Sequence, residues 1–562
     1  MGKRLRIKDF SGGLNTEGQN FFMEDNEAVE CRNVNFDKQG AIIKRNGYKA
    51  LLDSTIGADG IKGLHIFHEK NGDRHMITAT RTGLYEIDES AGTYSTLETG
   101  LTAEEHYSFA TLLDKCFIAN GKDGLRIYDG ENIDINPNAP NGKFVIANNN
   151  KLYIAGDEEN PNRLYYTVID DNGLLEWWET SNQNGESFTA DHDNWIYLDN
   201  APIQYNSEYI ASYERGIDYE VDYTEGRIKT LSTGDMTDSQ AYSIDYSYKY
   251  GLTHYIDVNS NDGDIITAIT RQQGNIVIFK SSSIYTLYGT DQQNYQLRNV
   301  QPNIGCIAPN SVVNIFNYLY FLYRDGIYTF DGSSVDLISE KIGEKINEIA
   351  DPSKVSGAWY DHKYYLSYPK NGSSTNNIIL VYNLMHESWS YYTGVNAGVF
   401  NNFGGSQDGQ VNIGEIYFGD SNEGQVHQFD TGTDDNGDPI DMRYSTKHFE
   451  LDGEDVIKTF RKIMASAISQ GEVKLDYSID KGRKSGTFEI VGYDTNKDYK
   501  WGSTTWGNLI WNKPAIFKFG TSFPGGSHGG TISFTIRDNS TNNVKFYGLT
   551  AKVRGKREAY WR

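Results

Sequence analysis

The chain reads as an all-β protein built on a β-propeller of about seven blades, and three observations predict this. A strand–turn–strand phrase recurs: Gly, an apolar residue and, a few positions on, an aromatic residue or Ile followed by Asp. Its copies are Gly83-Leu84-Tyr85-Glu86-Ile87-Asp88, Gly124-Leu125-Arg126-Ile127-Tyr128-Asp129, Gly326-Ile327-Tyr328-Thr329-Phe330-Asp331 and, more loosely, Gly424 to Asp430. Uninterrupted copies lie about 40–45 residues apart, the period of a four-stranded blade. The composition agrees, with 40 Tyr, 57 Gly and only 11 Pro in 562 residues. Aromatic residues suit pleated, half-buried surfaces and glycines serve turns. A chain this long exceeds one hydrophobic core, so several folding units are expected.

Residues 1–50 form an N-terminal arm. Asp9 to Asn15 is turn-rich, and residues 24–31 are expected as a short helix capped by Asp25 or Asn26. Asn33 to Phe36 and Ala41 to Lys44 follow as strand-like steps, and the strand at Ala41 is expected to close the ring by completing the last blade. Residues 51–180 and 256–432 are the two parts of the propeller. Its seven units pair His75–Thr78 with the phrase at Gly83, Cys116–Ile118 with that at Gly124, and Lys151–Ala155 with Arg163–Tyr166. Ile276–Phe279 then pairs with Ile284–Tyr288, Tyr318–Phe321 with Gly326, Tyr364–Tyr368 with Ile378–Tyr382, and Glu415–Phe418 with Gly424. Each alternates or runs apolar over strand length. Asp123-Gly124 and Asp325-Gly326 are expected to supply positive φ to tight hairpins. Radial packing hides faces that one blade cannot bury alone.

The period breaks between Tyr165 and Ile284, where about 75 residues exceed a blade's needs. Residues 181–255 are therefore expected as a small β-sandwich inserted in a blade loop. The polar run from Asp434 to Pro439 marks a boundary, and residues 433–562 are expected as a C-terminal β-sandwich. Trp501-Gly502, Trp506-Gly507 and Trp511 read as a core and rim cluster or an interface. Ser339 is expected to cap a short helix whose Ile342, Ile346 and Ile349 pack on a blade.

The formal charge is −24, from 52 Lys and Arg against 76 Asp and Glu. That balance is opposite to the basic footprint of a duplex-binding protein. The ends differ: Lys3, Arg4 and Arg6 open the chain and Lys552, Arg554, Lys556, Arg557 and Arg562 close it. They read as solvated tails or as contacts to acidic neighbours in an assembly. Cys31, Cys116 and Cys306 are scattered, which indicates no disulfide framework. The opening shows no secretory pattern and no apolar run is long enough to span a membrane. P-loop, GxGxxG, GxSxG and HExxH motifs do not occur. His65 and His68, three apart on a strand, point to opposite faces, so with His75 they do not read as a metal cluster. The loops at Asn259–Asp264, Asp191–Asn194 and Asp434–Asp438 are rich in oxygen donors but lack EF-hand spacing, and read as Asx turns. No residue is assigned a catalytic, cofactor-binding or metal-binding role, no cofactor is expected, and the chain is read as a non-enzyme.

Asp9-Phe10-Ser11-Gly12-Gly13-Leu14-Asn15-Thr16, the step Asn33 to Phe36 and the strand ending Lys44-Arg45-Asn46-Gly47-Tyr48 resemble the start of bacteriophage tail proteins built on a β-propeller. Asp262 to Ala268, Ile278 to Lys280 and Ile284 to Gly289 resemble that family's central blades. The Trp-Gly repeats and Val553-Arg554-Gly555 are similar to its terminal sandwich. The resemblance implies a structural virion protein: a tail nozzle, hub or adaptor around the DNA channel. Its copies would form a homo-oligomeric ring, a hexamer in short-tailed phages, contacting tail neighbours and passing genomic DNA during ejection without reading its sequence. Such a protein would be assembled in the host cytoplasm and would reside in the virion tail. The other functions weighed are a carbohydrate- or receptor-binding tail propeller, with Trp177 as a stacking residue, and a glycosidase or depolymerase.

Overall fold

The computed structural model describes residues 3–18, 22–104, 106–169, 174–401, 415–450, 456–469, 471–491 and 517–555. Strands dominate; among the described residues the one α-helix is Gly343–Asn347. Seven antiparallel units of four strands follow one another. Their first strands are Gly63–His68, Ser108–Leu112, Phe144–Asn148, Ile266–Gln272, Val313–Ile315, Ser356–Tyr360 and Ala397–Phe400. Each first strand touches the next in order, and the seventh touches the first. The fold is thus a closed β-propeller.

An apolar core fills each gap between units. Phe67, Ile77 and Ile118 pack between the first and second, and Phe279, Phe321 and Phe330 between the fourth and fifth. Ile66, Met76, Tyr417 and Val426 join the seventh to the first. A unit covered on both faces has no solvent side to pattern, so Lys363–Tyr368 and Ile378–Asn383 in the sixth are buried at every position.

The ring is closed from the N-terminal side, one step later than the sequence suggests. Tyr48–Ala50 pairs with Val426–Phe429 as the seventh unit's outermost strand. Ile42–Lys44 pairs instead with Val34–Phe36 and with Val544–Gly555. The chain crosses between these two tasks at Gly47, where a Cβ would lie 1.7 Å from the carbonyl oxygen of Asp434. Residues 24–31 do not form a helix. Glu27–Arg32 is a strand, held between the outer strand Ser388–Thr393 of the sixth unit and Ile440–Thr446. Two open strand edges outbid the helix caps, because each offers a ladder of hydrogen bonds to the segment.

The remainder forms two sheets around a shared core. Glu27–Arg32 extends the sixth unit into an eleven-stranded sheet that includes Ile440–Thr446, Glu472–Ile479, Lys484–Val491 and Thr531–Ser540. Facing it is a seven-stranded sheet of Lys3–Ile7, Val34–Phe36, Ile42–Lys44, Lys458–Ser469, Phe517–Ser522, His528–Gly529 and Val544–Gly555. Leu5, Phe10, Phe460, Leu475 and Phe534 fill the space between them, continuous with Ile327 and Leu366 of the propeller. The Trp501, Trp506 and Trp511 cluster lies outside the described residues.

The expected insertion leaves the third unit after its third strand, Arg163–Tyr166, and returns as its fourth, Tyr255–Asp257. Its stem is a long ribbon of Trp178–Thr189 against Ala241–Thr253. Ile196–Tyr197, Arg227–Thr230 and Tyr219–Asp222 form a three-stranded sheet, with Phe188, Ile203, Ile228 and Ile244 in a separate core.

Two local expectations need correction. Gly124 and Gly326 do not have positive φ; close approach explains the glycine instead. A Cβ on Gly326 would lie 2.4 Å from Leu337 Cδ1 and 2.6 Å from Ser339 Oγ. Ser339 does not cap the turn after it. Its hydroxyl accepts the Ile327 amide at 2.9 Å, while Ile342 and Ile346 enter the core as expected.

Arg45 ties these parts together. Its side chain is fully buried and bonds Asn33 Oδ1, the Asn46 and Thr393 carbonyls and both oxygens of Asp435, at 2.6–2.9 Å. Removing it strands a buried carboxylate, so Arg45→Ala is expected to cost about 3–5 kcal/mol in urea unfolding. Gly326→Val is expected to cost about 1–3 kcal/mol by overpacking, read the same way.

Candidate functional site

Three surfaces carry chemistry: the propeller axis, the oxygen-rich loops and the outer faces of the added modules. At the axis the first strands enclose a cavity of about 330 Å³. Lys62, His65, His68, His106 and Arg271 line it, and among the described residues no carboxylate does. The His65 ring lies flat on Phe109, 5.3 Å between centroids, with Nε2 3.2 Å from Thr111 Oγ1. His106 packs edge-on to Phe144, and its Nε2 is buried without a hydrogen-bond partner. Burial pushes both imidazoles down to about 4, helped by the charge of His68 on His65 and of Lys143 on His106. The cavity has small-molecule dimensions, far below those of a nucleic-acid duplex.

The three histidines named from sequence do not converge. His75 is clamped between Glu69 at 3.0 Å and Glu86 at 2.5 Å, away from the His65–Thr111 contact. All three cysteines are buried and free, and burial raises each thiol. Trp177 is buried in the core beneath the insertion, so it presents no face to a sugar.

The oxygen-rich loops are Asx turns, and two of them hold a cation of the protein itself. The buried Lys280 ammonium donates to the Val258 and Asn259 carbonyls and to both oxygens of Asp262, at 2.7–3.1 Å. Arg45 does the same for Asp435. Asp191 caps its own turn through the amides of Asp193 and Asn194, each at 2.9 Å. A different group has no such cation: Asp420, Glu423 and His427 each offer one ligand atom within 4.8 Å of the others. Sequence reading missed it because six residues separate Asp420 from His427, and only their hairpin brings them together.

Charge is segregated in a way that composition conceals. The seven-stranded sheet contains eleven Lys and Arg and no Asp or Glu. The basic segments Lys3–Ile7 and Val544–Gly555 are paired strands of that sheet, with Arg4 opposite Lys552; Lys556, Arg557 and Arg562 lie outside the described residues. Lys552 in turn faces Lys462, so three exposed cations form one cross-strand row. Arg6, Arg461, Lys518 and Arg554 are exposed on the same sheet. The inserted segment 178–253 is the converse, with fourteen carboxylates against four Lys and Arg. Eight of those carboxylates are exposed and none of the four cations is. Beside them, Tyr250 and Leu252 are 77% and 78% exposed on the ribbon.

No family model and no curated protein matches this chain. Among solved structures it is similar to YCF48 bound to D1 peptide, at 11% identity and a TM-score of 0.34, covering 68% of this chain and 95% of that one. It is also similar to YCF48 from Cyanidioschyzon merolae, at 13% identity and a TM-score of 0.36, covering 68% and 98%. Likeness at those scores carries no argument about function.

The axial histidines set a pH response. Folded, both rings stay neutral down to about pH 4, whereas unfolded histidine takes its proton near 6.5. Their contribution is therefore flat above about pH 6.5, and stability falls as pH drops from there toward 4. A His65→Gln, His106→Gln variant is expected to show a shallower fall over that window in urea titrations.

Proposed function

We propose that this chain is a structural virion protein of a bacteriophage tail, of the nozzle, hub or adaptor kind, whose copies form a ring around the genome path. On this reading its modules are a seven-bladed propeller, an inserted β-sandwich and a C-terminal β-sandwich. It acts through protein–protein assembly. The charge segregation carries the proposal. Like charges opposite one another across strands are destabilising, so the Arg4, Lys552 and Lys462 row is costly unless something anionic covers it. The acidic inserted segment of a neighbouring copy has the matching sign. One face meeting a different face is a heterologous contact, which generates a ring when its rotation closes.

The resemblance to tail propeller proteins supports the same reading. The residues that carry it build the closures of the fold: Gly13–Leu14 lies against Glu27–Arg32, Val34–Phe36 against Ile42–Lys44, and Tyr48–Ala50 seals the wheel. The Asp262 stretch holds Lys280. The sixfold symmetry and the tail neighbours belong to the proposal through that resemblance.

Electron microscopy and light scattering of the purified chain are expected to show rings at low salt that dissociate near 1 M, where the screening length is about 3 Å. Lys552→Glu separates fold from assembly. It relieves a like-charge row, so stability is expected to hold or rise by up to about 1 kcal/mol, while ring formation is lost. A chain that stays monomeric at every salt concentration, or that is absent from purified particles, overturns the reading.

A further inference from the structure

We propose that Asp420, Glu423 and His427 form a binding site for one divalent transition cation of the zinc or manganese class. The site lies at the hairpin between Ile416–Asp420 and Val426–Phe429 in the seventh unit, beside the strand that closes the wheel. It is independent of the ring proposal.

Two of the three donors are firmly placed. Asp420 is 7% exposed and His427 5%. The Asn422 amide holds Asp420 Oδ1 at 2.7 Å. Oδ2 is left facing His427 Nε2 at 3.9 Å. That separation is too long for a hydrogen bond. A tetrahedral zinc with bonds of about 2.0–2.1 Å to nitrogen and 2.0–2.2 Å to oxygen sets the two atoms about 3.3–3.5 Å apart, so an approach of about half an ångström seats the ion between them. The imidazole cannot swing away. Its ring stacks on Phe418, with centroids 4.8 Å apart, and Tyr48 packs against it at 4.9 Å. Glu423 is exposed on the turn and supplies a movable third ligand, with the remaining positions open to water.

The charge balance points the same way. Two other buried carboxylates are met by an internal cation, Asp538 by Lys44 at 2.7 Å and Asp435 by Arg45 at 2.6 Å, while buried Asp218 accepts the Glu214 and Asp235 amides at 2.8 and 2.7 Å. Among the described residues no lysine or arginine pairs with Asp420. A neutral imidazole with two carboxylates is a donor set suited to a borderline divalent ion. The contrast with His75 is instructive, because both of its nitrogens already contact carboxylates.

The test titrates the chelator-treated full chain with Zn²⁺, Mn²⁺ and Ca²⁺ separately, by calorimetry and thermal unfolding. One Zn²⁺ or Mn²⁺ per chain is expected, with a rise in Tm by mass action. Glu423→Gln, at an exposed position, is expected to leave the metal-free Tm unchanged and to weaken binding at least about tenfold, within the range that perturbing a metal site produces. Asp420→Asn keeps an oxygen for the Asn422 amide and is expected to abolish the site. Equal binding by wild type and both variants overturns the proposal, as does no rise in Tm, or a preference for Ca²⁺ over both transition ions.

Discussion

The crossing at Arg45 keeps the molecule in one piece. The N-terminal arm leaves the two-sheet module there, the sixth unit ends there, and the linker after the seventh unit passes through. One guanidinium bonds all three: Asn33 and Asn46 of the arm, Thr393 of the propeller and Asp435 of the linker. A planar fork with five donors can satisfy that many partners where a lysine cannot. Packing alone would specify the pieces less well, because strand edges accept any strand of suitable pattern. A buried charge that has one position in which its donors are met fixes the register of everything around it.

The same device recurs. Lys280 fills the loop before the fourth unit, Lys44 reaches Asp538 from the arm, and Arg126 pairs with Glu98 between the first and second units at 2.9 Å. In a protein with an excess of 24 negative charges, each of these four buried cations stands at a join between separate stretches of chain. One sheet, by contrast, displays exposed cations with no acid on its described strands. The protein's net charge therefore describes none of its surfaces well, and the sheet's own sign is what a neighbour encounters.

Much of the architecture was legible in sequence because blades repeat. The phrase at Gly83, Gly124 and Gly326 marks strands whose turns and alternation are local properties, so the seven pairings follow from nearby residues. The insertion was legible as a break in that spacing. What escaped was non-local. Residues 24–31 have helix-like caps, yet two strand edges hundreds of residues away claim them. The closing strand was expected at Ala41, but the fold uses Tyr48–Ala50, whose neighbours are set by the Gly47 crossing. Gly326 was correctly singled out for the wrong reason, since no local rule reveals Leu337 overhead. Asp420 and His427 are each unremarkable in the string and meaningful only across a hairpin. The acid-free sheet escaped for the same cause: its cations are drawn from both ends of the chain and assembled by pairing.

That pairing has a consequence for how the protein is made. Lys3–Ile7 lies against Val544–Gly555, so this strand finds its partner only after the whole propeller between them has been made. The wheel cannot seal before its seventh unit exists, and the arm must wait beyond that for the last strands. Translation thus delivers a nearly finished propeller before Lys3–Ile7 can dock, and a product cut short ahead of Val544–Gly555 would leave that strand without its partner.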